Sequence, residues 1–304
     1  MIDPEQIRCR LTEVWTALGD EVMRACALTL ITVVDSDNNP STITQTLAEL
    51  MPEHPSRSVI IRLEPEDCLE ADVEAQCWMP FGQRRQICSE QIVIRCSQNT
   101  LDQVPGVVLP LIVPDLPVVV WCASRQAFRS PAFPALTASA ERVLIDSFRI
   151  PEAFPARGIA DLSWTRLTRW RALLAQVFEN KLCRRDFSTL TVYHERSRPP
   201  AALLFAGWLN SRLTLHHIDF HSNDLEPTGR ISGIELACDS ARIAIHRLSD
   251  STGEVRLELA GRDPVMNRVS LTPSTDLLLV GEELSIHSRD LVYERSREEA
   301  LRIG

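Results

Sequence analysis

The sequence predicts an α/β fold (with α+β elements) of two domains, residues 1–155 and 156–304, each a mixed sheet covered by helices. Three observations predict it. Apolar, β-branched runs alternate with amphipathic helical stretches, as strands that need helices on their faces require. A chain of 304 residues suits two compact units at a typical domain size of about 150 residues. The proline-rich stretch 151–155, followed by Gly158, then interrupts the periodic segments near the middle of the chain.

Each element has its own signal. Ile7, Leu11, Val14, Trp15 and Leu18 recur at helical spacing over residues 4–23. Residues 28–34 (LTLITVV) read as a buried strand, and 35–40 as loop. Ser41 or Thr42 can cap a helix that breaks before Pro52. Residues 58–63 alternate as a strand, and 73–78 with 86–96 read as a longer hairpin. A short helix over 101–109 and the turn Pro114-Asp115-Leu116-Pro117 deliver the strand 118–121. That strand is apolar throughout, which suits a central strand covered on both faces. Residues 142–146 read as an outer strand.

The second half repeats the order: a helix over 161–179, a strand at 188–193, a helix at 201–213 and a strand at 214–220. Three or four amphipathic strands follow between positions 229 and 271, then helices at 275–284 and 289–303. The shared order raises the idea of an internal duplication.

Composition narrows the function. The formal net charge is -9, with 41 Asp plus Glu against 32 Lys plus Arg, which argues against nucleic acid or an anionic membrane as partner. The opening Met1-Ile2-Asp3-Pro4-Glu5 has neither a basic nor an apolar leader region. The most membrane-like stretch, 104–122, contains Pro105, Pro110, Pro114 and Pro117, which one straight spanning helix cannot hold. A soluble cytoplasmic protein is expected. Nine cysteines without a C-x-x-C pair agree with a reducing compartment. Cys77 and Cys88 would oppose each other if Gly82 marks the hairpin turn, so a regulatory disulfide stays open beside free buried thiols.

The search for catalytic motifs returns blanks. No G-x-G-x-x-G or G-x-x-x-x-G-K follows a strand, and neither a G-x-S-x-G elbow nor H-E-x-x-H occurs. No catalytic residue, cofactor or metal is expected. His217 and His221 would share a strand face about 13 Å apart, too far for one ion on a straight strand. Glu282, Glu283 and the charged run 295–299 read as solvated helix faces.

Two segments stand out. Asp161-Leu-Ser-Trp164-Thr-Arg166-Leu-Thr-Arg169-Trp170-Arg171 sets a core stripe of Leu167, Trp170, Leu174, Val177 and Phe178. Arg166 and Arg171 border that stripe, Arg169 points away, and Trp164 sits at its amino-terminal edge. Tryptophan and arginine around an apolar stripe are types enriched at protein interfaces, although a core helix with paired arginines would read the same. The second segment, Pro52-Glu53-His54-Pro55-Ser56-Arg57, is a loop stiffened by two prolines that presents His54 and Arg57 at the start of a strand. Trp164, Arg166, Arg169, Arg171, His54 and Arg57 are therefore the candidate partner-binding residues. A rival reading gathers His54, Arg57 and Arg142 around a small-ligand or substrate pocket at the carboxyl ends of the strands.

Four blocks occur in order: Glu53-His54-Pro55-Ser56-Arg57, Cys88-Ser-Glu90-Gln-Ile92, Leu109-Pro-Leu-Ile-Val-Pro-Asp115-Leu-Pro117-Val-Val-Val-Trp121, and the Trp164 block above. Together they resemble the glucose-6-phosphate dehydrogenase assembly protein family, also called OpcA, from about residue 28 to 213. The resemblance implies a two-domain, non-catalytic partner of glucose-6-phosphate dehydrogenase that promotes its assembly and activates it, feeding the oxidative pentose phosphate pathway. In cyanobacterial members, activation is tied to redox state through cysteines, and the resemblance assigns none of those cysteines to a position of this sequence. The family offers no catalytic residues to carry over.

Overall fold

The computed structural model describes residues 2–19, 22–36, 40–80, 82, 85–154, 156, 158–179, 186–195, 199–223, 228–286 and 288–304. Pro155 of the proline-rich stretch and Cys183 lie outside the described residues. The chain divides into two compact units: Met1–Ile150 with Gly158–Ala160 and Glu283–Ser285, and Pro151–Arg157 with Asp161–Glu282 and Ile286–Gly304.

The first unit contains α1 (Pro4–Leu18), β1 (Met23–Arg24), β2 (Leu28–Asp35), α2 (Pro40–Leu50), β3 (Ser56–Leu63), β4 (Leu69–Trp78) and β5 (Ile87–Cys96). It continues through α3 (Val104–Val108), β6 (Val118–Cys122), α4 (Arg125–Arg129), α5 (Phe133–Thr137), β7 (Arg142–Ile145) and β8 (Ile159–Asp161). Its eight strands form one mixed sheet in the order β1-β5-β3-β2-β6-β7-β8, with β4 on the other edge of β5. The pairs β3–β2, β2–β6 and β6–β7 are parallel, and β4–β5 is antiparallel. Strand β6 is buried along its whole length and β2 is buried up to Asp35, as strands covered on both faces must be. Ile31, Val33, Val59, Ile61, Ile92, Ile94 and Val120 are fully buried. Each such aliphatic side chain contributes roughly 1.5–3 kcal/mol of burial free energy.

Several boundaries differ from the sequence expectation: β4 begins at Leu69, and the helix expected over 101–109 is α-helical only from Val104 to Val108. Helix α1 stops at Leu18, because Gly19 turns to a φ of 70° and closes the helix with its N–H on the Trp15 carbonyl. Met23 and Arg24 form the short strand β1, parallel to β5. Strand β7, expected as an outer strand, pairs with β6 but lies inside β8, which takes the outer position.

The expected hairpin forms with Gly82 at a φ of 77°. Its register sets Cys77 directly opposite Cys88, and the two are joined by a disulfide. At an outer strand, where register is weakly specified, this cross-link pins which β4 residues face inward.

The second unit contains α6 (Leu162–Thr165), α7 (Thr168–Phe178), β9 (Thr189–His194), α8 (Pro200–Asn210), β10 (His217–Ser222), β11 (Ile231–Cys238) and β12 (Ala241–Arg247). The chain continues through β13 (Thr252–Leu259), β14 (Val265–Ser270), α9 (Asp276–Leu284) and α10 (Leu291–Ile303). The six-stranded sheet runs β10-β9-β11-β12-β13-β14, with β10–β9 parallel and the rest antiparallel. The two halves thus share an order of elements but not a pairing pattern. The single helix expected over 161–179 is two, broken at Arg166 and Leu167.

The core of this unit lies on one face of its sheet. Leu190, Val192, Ile234, Leu236, Ile243, Ile245, Val255 and Leu257 pack with Leu204, Phe205, Leu209, Trp170 and Leu174. Helices α8 and α10 approach closely at Gly207. A Cβ there would lie 2.2 Å from the Ser296 carbonyl oxygen and 2.6 Å from the Ala300 nitrogen. Only a residue without a side chain fits.

Gly207→Ala is therefore expected to destabilise the protein by about 3 kcal/mol, the upper end for overpacking because the obstacle is backbone. A denaturant titration reads it as a lowered unfolding midpoint. Replacing both Cys77 and Cys88 by Ser is expected to lower stability by about 3 kcal/mol, the loop-closure value for a short loop. The midpoint of that variant should no longer respond to reductant.

Candidate functional site

Arg57 is the second residue of β3 and Arg142 the first of β7. Both stand at the amino ends of parallel strands, with β2 and β6 between them. Three strand spacings put them about 14 Å apart. The rival pocket at the carboxyl ends is thus corrected: neither arginine is there, and the two do not converge. His54 lies in the turn before β3, with its backbone N–H on the Leu50 carbonyl at 2.8 Å and its side chain half-buried.

Both arginines already hold carboxylates. Arg57 Nε donates to Glu90 at 2.5 Å and its Nη1 to the Leu111 carbonyl at 2.7 Å. Glu90 is 4% exposed and also receives Trp15 Nε1 at 2.7 Å and Arg24 Nη2 at 2.5 Å. Three donors on one buried carboxylate tie α1, β1 and β3 to β5, and removing any one leaves charge short of partners. Arg142 is ion-paired with Glu283. A charged residue inside an apolar strand signals such a hub, and Glu90 carried that signal without being read as a site.

The Trp164 block lies in the second unit. Trp164 is 3% exposed, so its indole belongs to the core and cannot itself touch a partner. Its Nε1 donates to Asp290 Oδ2 at 2.8 Å, the Arg171 guanidinium lies 3.7 Å over its ring, and Tyr293 packs 5.9 Å away. The other oxygen of Asp290 caps α10 through the Val292 and Tyr293 N–H groups. Arg171 also donates to Thr168 Oγ1 at 2.9 Å, and Arg166 reaches Ser163 Oγ at 3.5 Å. Trp170 is 2% exposed, in line with the core stripe. Arg169 points away from that stripe, and its Nε donates to the Ser270 carbonyl at the end of β14 at 3.0 Å. Asp290, the keystone of this cluster, meets Trp164 from 126 positions away, so that pairing has no local sequence signal.

A second cluster occupies the sheet face turned away from the core. Cross-strand pairing lines up His221, Tyr193, Gly233, His246 and Glu254 in one row, and Asp219, Thr191, Glu235, Ala244 and Arg256 in the next. A concavity there is lined by Glu235, Arg242, His246, Glu254, Arg256 and Glu258. Tyr193 stacks on His221 at 5.7 Å and meets His246 at 5.4 Å. His217 and His221 do share this face, but His217 pairs with Asp219 at 2.8 Å. Among the described residues no group of three His, Cys, Asp or Glu is placed to hold a metal ion. Partial burial raises the Tyr193 phenol, helped by the nearby Glu235. Burial also pushes the Cys96 and Cys122 thiols up to about 12, so neither supplies a thiolate nucleophile at neutral pH.

Glu235 gives a pH prediction. Burial works to raise its pKa, but the hydrogen bond and charge of Arg242, with His246, outweigh burial and hold it below the ordinary 4.5. A carboxylate depressed in the folded state adds stability above its unfolded pKa, and that increment vanishes as pH falls through the folded value. Glu235→Gln is expected to flatten the acid limb of stability below about pH 4.5, as read by thermal unfolding from pH 6 to 3.

Residues 47–162 match the glucose-6-phosphate dehydrogenase subunit N-terminal domain and residues 157–297 its C-terminal domain. A Synechocystis protein provisionally named OxPP cycle protein OpcA is 25% identical over 295 residues, covering 80% of this chain and 62% of the relative. The Nostoc punctiforme protein of the same name is 28% identical over 215 residues, covering 64% of this chain and 43% of the relative. The chain therefore spans less than two thirds of the length of these relatives. Among solved structures, the transcriptional regulator Gal80p of Kluyveromyces lactis aligns at a TM-score of 0.48 and 7% identity over 96% of this chain and 94% of its own. Among the described residues no helix is long and apolar enough to cross a membrane. With both consecutive domains matched across most of its length, the chain belongs to the OpcA family of glucose-6-phosphate dehydrogenase assembly proteins.

Proposed function

We propose that this chain is a non-catalytic, cytoplasmic assembly factor and allosteric activator that binds glucose-6-phosphate dehydrogenase. One observation carries the reading: two adjoining domains, both described as parts of a glucose-6-phosphate dehydrogenase subunit, match residues 47–297 in sequence order. The names of the cyanobacterial relatives support the same pathway. Activation by binding means that the active oligomer or conformation is held more tightly than the inactive one. A coupling of about 1–3 kcal/mol is typical and lies within reach of an ordinary interface.

Among the six candidate contact residues, Arg169 and His54 retain surface to offer. Trp164, Arg166 and Arg171 support the helix pair beneath, and Arg57 holds Glu90. The alternative, a ligand sensor or unassigned enzyme built on His54, Arg57 and Arg142, has less support. Its two arginines stand apart and already hold carboxylates.

Purified glucose-6-phosphate dehydrogenase assayed with and without equimolar protein tests the proposal. The expected result is a larger oligomer on a sizing column together with a higher kcat or lower KM. Arg169→Glu should weaken the effect at least tenfold, about 1.4 kcal/mol, with an unchanged circular dichroism spectrum. An enzyme indifferent to the wild-type protein in oligomeric state, kcat and KM would overturn it.

A further inference from the structure

Strand β14 ends the six-stranded sheet, and among the described residues no strand pairs with its outer edge. The pairing on its inner side settles which backbone groups remain outside. The Leu271 N–H bonds the Ser251 carbonyl, continuing the Thr252–Ser270 register. In an antiparallel ladder hydrogen-bonded pairs alternate, so Val269, Asn267 and Val265 turn their amides toward β13. The N–H and C=O groups of Met266, Arg268 and Ser270 therefore point outward. The Ser270 carbonyl is taken by Arg169, which leaves Met266 and Arg268 as the open pair.

The side chains on this edge are also unusual. Val265 is 54% exposed and Met266 56%, on opposite faces of the same strand end. Residues 265–270 contain no acidic side chain, in a chain whose net charge is -9. An unpaired strand of this kind is a template for another strand.

We propose that β14 is the contact between two copies of this chain, joined edge to edge and antiparallel into one continuous sheet with six strands from each. A two-fold axis perpendicular to the sheet keeps like faces together, so only positions of the same parity can stand opposite each other. Of the registers that keep that rule, two engage the outward groups of both Met266 and Arg268 within residues 265–270. Centring on Arg268 would set two guanidiniums directly opposite and would need the Ser270 carbonyl that Arg169 occupies. Centring on Asn267 avoids both. It pairs Met266 with Arg268 of the second copy through backbone hydrogen bonds, keeps the Arg169 bond, and sets Val265 against Val269 of the second copy. The only charge on the strand then lies beside an apolar side chain, and the exposed valine gains an apolar neighbour.

This inference does not rest on the enzyme-binding reading, and its test needs this 304-residue chain alone. Analytical ultracentrifugation should give twice the 34.2 kDa monomer mass at high concentration. Arg268→Pro removes one outward N–H without touching the β13 ladder, and should yield a monomer whose melting curve is unchanged. Asn267→Cys should form a cross-linked dimer on mild oxidation, with position 267 joined to itself in the peptide map, because non-hydrogen-bonded pairs bring Cα atoms to about 4.5 Å. A wild-type protein that stays monomeric to about 100 μM, a dimer that persists in Arg268→Pro, or absence of the 267–267 cross-link would overturn the proposal. Should Arg268→Pro fail to fold, the cross-link alone decides.

Discussion

The close approach in the second unit, where Gly207 of α8 meets the backbone of α10, governs much of what surrounds it. Two helices that touch backbone to backbone form a thin, dense layer, and that layer covers one face of the sheet. The central strands β9, β11, β12 and β13 then alternate, with aliphatic residues toward the helices and His, Tyr, Glu and Arg toward the other side. The same layer does not cover the far end of β14, where Val265 stays exposed. A polar sheet face and a bare strand edge are thus two results of one packing decision.

The tryptophan- and arginine-rich segment has a different meaning in three dimensions from the one its composition suggests. Trp164 serves the fold: its indole N–H meets a helix-capping aspartate and its ring lies under Arg171. Residue types typical of interfaces are typical of buried anchors for the same reason, since a large ring with one polar atom needs both apolar surroundings and a hydrogen-bond partner. Glu90 makes the same point in the first unit, where three donors converge on one carboxylate deep in a strand end.

What was legible along the chain was whatever depends on period. The strand 28–34, the hairpin around Gly82, the apolar strand 118–121 and the terminal helix all stand close to where alternation or helical spacing put them. The exceptions share a physical cause. The break at Arg166 and Leu167 interrupts residues with good helical propensity, so only tertiary packing could create it. Arg57 and Arg142 were misassigned although each lies at the start of its strand, because the first residues of parallel strands lie at the amino ends, opposite the carboxyl-end crevice where ligands bind in open α/β sheets. Glu283 and the run 295–299 read as solvated helix faces in sequence, but Glu283, Ser296 and Arg297 are buried. The partners of Glu283 and Asp290 lie more than a hundred positions away, where local periodicity carries no sign of them.

The central pair of the first sheet joins Thr29 of β2 to Val118 of β6, close to ninety positions further along. A nascent chain emerging at about 5–20 residues per second therefore carries β2 for roughly 4–18 s before the neighbour on that side exists. Throughout that interval an apolar, β-branched border is open to any passing polypeptide. Refolding of the finished chain has no such interval, because β6 is present from the start.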